Sequence, residues 1–241
     1  MDAAALKLVD FSCRTGAAPA FPYGLGERGV HEIAAAGHGD MPACAGFAFC
    51  AGLKRAGPGA IIWVSEHGRR RDFGFLAGHG LAGFGLDPGR VLFVHARKPR
   101  EALWAVEEAM GCGAVALVAA ELPGIDFTAS RRLSLASEAR GVPAVLLLGP
   151  RCEGATAAAA RWRVRARPSA PDRWDPRAPG HPRWQAVLER SRTAPGAAGR
   201  THDLEFDHET LSVHMVSRLA TGASRPPSPA AGDGGDWRET G

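Results

Sequence analysis

The sequence predicts an α/β fold: a mostly parallel sheet flanked by helices, with additional strands toward the C-terminus. Three observations lead there. First, residues 60–65 (AIIWVS), 91–95 (VLFVH), 114–119 (AVALVA) and 142–148 (VPAVLLL) are continuous apolar runs of strand length. Runs that are apolar on both faces are typical of strands buried in a parallel sheet. Second, helical segments stand between them, as right-handed crossovers require. Third, residues 29–36 (GVHEIAAA) form a short apolar strand that enters a glycine turn and then a helix. Open α/β sheets present phosphate-binding loops through this layout.

Each element has a local reason. The turn occupies 37–43 and the first helix 44–56, where Cys44 and Cys50 pack as small hydrophobes. Residues 99–110 make an amphipathic helix with Leu103, Val106 and Met110 on one face and Glu101 and Glu108 elsewhere. Residues 128–140 form a helix closed by Gly141. After Pro150 the pattern changes. Residues 162–167 (WRVRAR) alternate, with Trp162, Val164 and Ala166 on one face and Arg163, Arg165 and Arg167 on the other, a half-exposed strand. A proline-rich connection, 168–182, carries Trp174, and residues 184–191 and 203–206 are two further strands. Residues 208–220 are expected to form a short terminal helix. The expected organisation is a flexible arm (1–20), one domain (21–220) whose Arg/Trp-rich strands fall within 151–207, and a Pro/Gly/Ser/Asp-rich disordered tail (221–241).

Apolar residues make up 45% of the chain, enough for an ordinary core. The formal net charge is +4, yet between residues 151 and 192 ten arginines face four acids, so the basic character is local. Cys13, Cys44, Cys50, Cys112 and Cys152 are scattered and odd in number, which points to free thiols in a reducing compartment. The N-terminus has an interrupted apolar pattern unlike a signal peptide, and no run approaches a membrane span. A cytoplasmic location is expected, with no membrane contact.

The glycine turn holds the first candidate site. A phosphate loop needs glycines whose N–H groups face phosphate, a lysine, and a hydroxyl for Mg²⁺. Gly37 and Gly39 meet the first requirement, but Asp40 and Met41 stand about where the lysine and hydroxyl belong. A carboxylate there repels a triphosphate, and Pro42 removes a donor. The turn is expected to be a degenerate nucleotide-binding loop that takes no cofactor, in a protein that is not an enzyme.

Two carboxylates are candidates for residual ATPase chemistry. Glu66 follows the 60–65 strand, where ligands bind in such sheets; the alternative is that it caps the next turn. Glu121 follows the 114–119 strand where an Mg²⁺-holding aspartate would be sought, but one place late, an offset that aims it at the other face. Its alternative is a solvated strand end. Arg69, Arg70 and Arg71 are expected in a loop, and Arg131 and Arg132 on a helix surface. No histidine grouping suggests a metal site.

The second candidate surface is Arg161, Arg163, Arg165, Arg167, Trp174, Arg183, Arg190 and Arg192, interleaved with Trp162 and Trp184. Arginines with aromatics can bind single-stranded nucleic acid through phosphate contact and stacking. They equally suit a protein interface. In a third reading Trp162 and Trp184 fill the core and the arginine face is simply wet.

The order of these segments resembles the ImuA family of RecA-like accessory proteins of bacterial error-prone translesion synthesis, sometimes labelled SulA-like. The resemblance runs from about residue 21 to 192. It is carried by HEI, the glycine turn, AIIWVSEH, GLDPGRVLFVHARKPREALWAVEEAM, GAVALVAAEL, FTASRRLSLASEARGVPAVLLL, ARWRVRARPSA and HPRWQAVLERSR in that order. It implies a RecA-like core and a non-catalytic adaptor in a damage-induced mutasome. The implied partners are ImuB, a degenerate relative of Y-family polymerases, an error-prone replicative-type polymerase and RecA, with DNA met directly or through them. The departures at Asp40, Met41 and 119–121 bear against ATP hydrolysis. The rival expectation is a divergent DNA-dependent ATPase that loads a recombinase or polymerase. A division inhibitor, suggested only by the SulA-like label, is the third.

Overall fold

The structure is a computed structural model and describes residues 20–216. The expected tail, most of the N-terminal arm and the last residues of the expected terminal helix lie outside the described residues. In chain order the elements begin with β1 (Val30–Ala35), α1 (Met41–Ala51), β2 (Ala60–Glu66), α2 (His67–Phe73) and α3 (Gly78–Gly83). They continue with β3 (Val91–Ala96), α4 (Pro99–Met110), β4 (Val115–Leu122), α5 (Phe127–Arg140) and β5 (Ala144–Leu148). Four strands finish the described chain: β6 (Ala160–Arg167), β7 (Arg183–Ser191), β8 (Thr201–Asp207) and β9 (Ser212–Met215).

The strands form one nine-stranded sheet in the order β3-β2-β4-β5-β1-β6-β7-β8-β9. Every neighbouring pair from β3 across to β6 is parallel. The pairs from β6 to β9 are antiparallel. The chemistry of the connections accounts for the change. Consecutive parallel strands need crossovers, and α1, α2 with α3, α4 and α5 supply those from β1 to β5, while an irregular segment leads from β5 to β6; β6, β7 and β8 are joined by proline- and glycine-containing loops, and β8 and β9 by a short turn.

The helices divide into two kinds. On α4, Ala102, Val106 and Met110 repeat at helical spacing and are buried, while Glu101, Glu107 and Glu108 face outward. By contrast α1 is buried nearly all round, because the sheet covers one side and the segment with α3 and the C-terminal strands covers the other. Two cores result. One gathers Phe47, Trp63, Trp162, Trp184 and Phe206 around α1. The other gathers Val64, Val106, Val118, Leu133 and Leu146 beneath α4 and α5. Gly141 ends α5 in the left-handed region at φ 71°, the closure that a glycine there permits.

Four local expectations are corrected. The apolar run of β3 is not buried on both faces: β3 is a sheet edge, with Leu92 60% and Phe93 40% exposed. The first helix starts at Met41 rather than 44 and ends at Ala51, and a short 3₁₀ turn, Leu53–Arg55, follows. Arg69, Arg70 and Arg71 lie on helix α2 rather than in a loop. The expected helix from 208 is a turn followed by β9. The Asp207 carboxylate accepts the Glu209 and Thr210 N–H groups, Leu211 takes φ 51°, and the chain reverses to pair with β8. Sheet pairing outweighs the weak helical tendency there. No helix among the described residues is long and apolar enough to cross a membrane.

Candidate functional site

The carboxyl ends of the parallel strands and the N-terminus of α1 meet where open α/β sheets take ligands. The turn between β1 and α1 is filled from within. One Asp40 oxygen, Oδ2, accepts the Gly37 N–H at 2.8 Å. The other, Oδ1, accepts the Ala166 N–H on β6 at 2.9 Å. The carboxylate thus occupies a backbone donor of the turn and ties the turn to the neighbouring strand. A Cβ on Gly37 would sit 3.3 Å from Asp40 Oδ2, so the glycine admits the acid closely. Met41 turns its side chain into the core, and Pro42 stands in the first turn of the helix without an N–H. The residues Gly37, Gly39, Asp40 and Met41 are together as expected, but the acid among them is engaged with backbone.

The two candidate carboxylates separate. Glu66 is the N-cap of α2 and accepts the Arg69 N–H at 3.3 Å, the capping arrangement that its position allows. Glu121 lies inside β4, directly across from Ser65 on β2. It shares a face with Leu117 and Ala119, toward α1. It is not a solvated strand end. Its Oε2 accepts the Ser65 hydroxyl at 2.6 Å, and the Trp63 indole N–H donates to Ser65 Oγ at 3.2 Å. Burial pushes the Glu121 pKa up, while Ser65, Trp63 and the Arg69 charge oppose the rise. Because Glu66 follows Ser65 on the strand, it points away from the Glu121 face, and the two acids do not converge on one reacting atom. Glu121 faces a largely apolar cavity of about 450 Å³ beside α1. Among the described residues no group of three or more His, Cys, Asp or Glu is arranged to hold a metal ion.

The arginines of the second candidate surface have unequal fates. Arg161 is 5% exposed and is no surface group. Its Nε donates to Glu32 Oε2 at 2.6 Å and its Nη1 to the Gly154 carbonyl. Glu32, in the middle of β1, also accepts the hydroxyls of Thr156 and Ser130 at 2.6 and 3.1 Å. Arg163 pairs with Glu189 through Nε at 2.6 Å and donates to the carbonyls of Ala35, Pro150 and Cys152. Arg183 is ion-paired to Glu205, Arg190 donates to the Thr156 carbonyl, and Arg192 lies 3.7 Å from Glu138. Trp162 and Trp184 are core residues. Arg165, Arg167, Arg190 and Arg192 are exposed, as is Trp174, which is 78% exposed with the Arg173 guanidinium stacked 4.3 Å above its ring. An open groove of about 670 Å³ runs past Thr156, Arg163, Arg165, Glu189 and Arg190.

Sequence reasoning passed over Glu32 and Ser65. The signal for Glu32 was available: a lone acid inside a short, largely apolar strand must find a buried partner. Ser65 carried no such mark, because only the β2–β4 register brings it to Glu121.

A nine-stranded sheet that is parallel through β6, flanked by helices, with a strand–glycine turn–helix unit at the carboxyl end of β1 and an antiparallel C-terminal extension, is an α/β fold of the mostly parallel kind. No protein-family model matches the chain. It is 35% identical over 211 residues to Protein ImuA of Caulobacter vibrioides strain NA1000 / CB15N, covering 82% of this chain and 84% of that protein. The same figures hold for Protein ImuA of the strain ATCC 19089 / CIP 103742 / CB 15. The chain belongs to the ImuA family.

Proposed function

We propose that the chain is a non-catalytic RecA-fold adaptor that helps assemble a translesion synthesis complex in the bacterial DNA-damage response. Family membership supports its involvement in damage-induced mutagenesis. The adaptor reading rests on one observation above the others: the turn that would cradle phosphate is occupied by the Asp40 carboxylate, bonded to Gly37 and Ala166. An incoming phosphate would have to displace that acid and then meet its charge. In this reading the motif is degenerate, no nucleotide cofactor is used, and the work is done by contact. The partners are an ImuB-like polymerase relative, an error-prone replicative-type polymerase and RecA, with DNA reached directly or through them. The exposed Arg165, Arg167 and Trp174 are the side chains offered to them, since arginine and tryptophan dominate interface energetics. A cytoplasmic location follows from those partners.

The test is nucleotide binding and turnover on the purified full chain, with and without single-stranded DNA. The expected result is neither binding of a fluorescent ATP analogue nor hydrolysis. DNA-stimulated turnover that disappears in Glu121→Gln would replace the adaptor by the rival, a divergent DNA-dependent ATPase that loads a recombinase or polymerase. Glu121 is the observation that favours this rival, because a half-buried acid with a raised pKa near the strand ends is a common catalytic arrangement.

A further inference from the structure

The cavity beside α1 has no role in the adaptor reading. Its walls include Met41, Phe49, Leu76, Leu81, Phe84 and Trp184. Glu121 is the acid that lines it, and Arg167 and Arg183 line it as well. An apolar hollow with one half-buried acceptor and basic groups beside it selects its occupant by chemistry. The occupant needs a large apolar body, one hydrogen-bond donor, and carboxylates close by.

The described chain stops next to this cavity. Val216 shares a neighbouring cleft with Arg167, Arg183 and Trp184, and those three residues also line the cavity. The sequence that continues from there, 217–241, contains a single aromatic residue, Trp237, set in Asp233-Gly234-Gly235-Asp236-Trp237-Arg238-Glu239. Indole is a large flat apolar group whose only polar function is one N–H donor. The acids around it are opposite in sign to the exposed Arg167, whereas Arg183 is already paired with Glu205. The 20 residues between Val216 and Trp237 can span up to about 70 Å when extended, ample for a segment that starts beside the cavity.

We propose that the cavity is a seat for a tryptophan flanked by carboxylates, and that the chain's own C-terminal segment fills it. Trp237 enters the apolar hollow and donates its N–H to Glu121, while Glu239 approaches Arg167. Tethering favours it as an equilibrium state: covalent attachment through a short stretch of chain gives an effective concentration of about millimolar, so a weak contact is populated. A partner protein that carries a similar acidic, tryptophan-bearing stretch would compete for the same seat.

The experiment uses the full chain at low micromolar concentration. With p-benzoylphenylalanine in place of Trp237, irradiation should give adducts within one chain at residues 73–84 or at Trp184. Hydrogen exchange of the amides in 73–84 should quicken about threefold or more in Trp237→Ala, because the cover on that segment is lost. Arg167→Glu should quicken it as well, and adding Glu239→Arg should restore slow exchange, which a merely structural role for Arg167 would not produce. Adducts scattered over the surface, adducts only between two chains, or exchange in Trp237→Ala equal to that of the parent would each overturn the proposal.

Discussion

The turn after β1 and the arginine-rich strands β6 and β7 look opposite in sequence, one acidic at a place meant for anions and the other crowded with cations. In the structure they obey one rule. At the turn, Asp40 is spent on the N–H groups of Gly37 and Ala166. On the strands, Glu32, Glu189 and Glu205 take Arg161, Arg163 and Arg183. In both regions most of the formal charge is used internally. The difference lies in what remains: at the turn the acid is held by two backbone N–H groups, whereas the strands still present Arg165, Arg167 and Arg190 to solvent.

The largest effect is expected at the buried pair, Glu32 and Arg161. Glu32→Ala leaves the Arg161 guanidinium uncompensated in a site where Glu32 is fully buried, and should cost about 3–5 kcal/mol of stability. Thermal unfolding of Arg161→Ala should show a loss of similar size, and Glu32→Leu with Arg161→Met should lose clearly less than either. Stability unchanged in the single variants would mean that the pair is not held in the native state.

A pH titration probes the neighbouring His31 on β1. Burial lowers its pKa from 6.5 to about 4. The unfolded chain therefore binds more protons between these values, so His31 contributes fully above about pH 6.5 and its contribution fades as pH falls toward 4. A shift of this size is worth about 3 kcal/mol at one unit per 1.36 kcal/mol. Denaturant midpoints at pH 7 and pH 4.5 measure it, and the dependence should flatten in His31→Gln.

Arg163 sharpens the contrast within one strand. Its partly exposed pair with Glu189 and its ties to three carbonyls make Arg163→Ser cost about 1–2 kcal/mol, a discounted figure because solvent reaches it. Arg165→Ser and Arg167→Ser should stay within about 0.5 kcal/mol of the parent by the same unfolding assay. Asp40→Ala should fall between, at about 1 kcal/mol, through loss of its two backbone bonds. The smallest stability effect belongs to Trp174→Ala, near zero, yet in the adaptor reading it weakens partner binding in a pull-down more than Arg163→Ser does.

The sequence by itself determined the sheet and its crossovers. Apolar runs of strand length separated by helical segments leave few arrangements that bury both faces, which is why β1, β2, β4, β5 and β6 fall close to where periodicity puts them. It also determined which residues stand at the turn, because Gly37, Gly39, Asp40 and Met41 are contiguous. Tertiary structure alone decided the rest. An apolar run does not reveal whether it lies inside the sheet or at its edge, so the exposure of Leu92 and Phe93 on β3 was hidden. The chain from 208 carried a weak helical tendency that pairing with β8 overrode. Alternation along 162–167 correctly separated tryptophan from arginine, but it could not tell Arg163, anchored to Glu189, from Arg165, which projects. Partners of a charge come from residues far away in sequence: Glu32 and Arg161 are 129 apart, Ser65 and Glu121 are 56 apart. Strand register brings them together, and register is settled by the packing of the whole sheet rather than by any local stretch of chain.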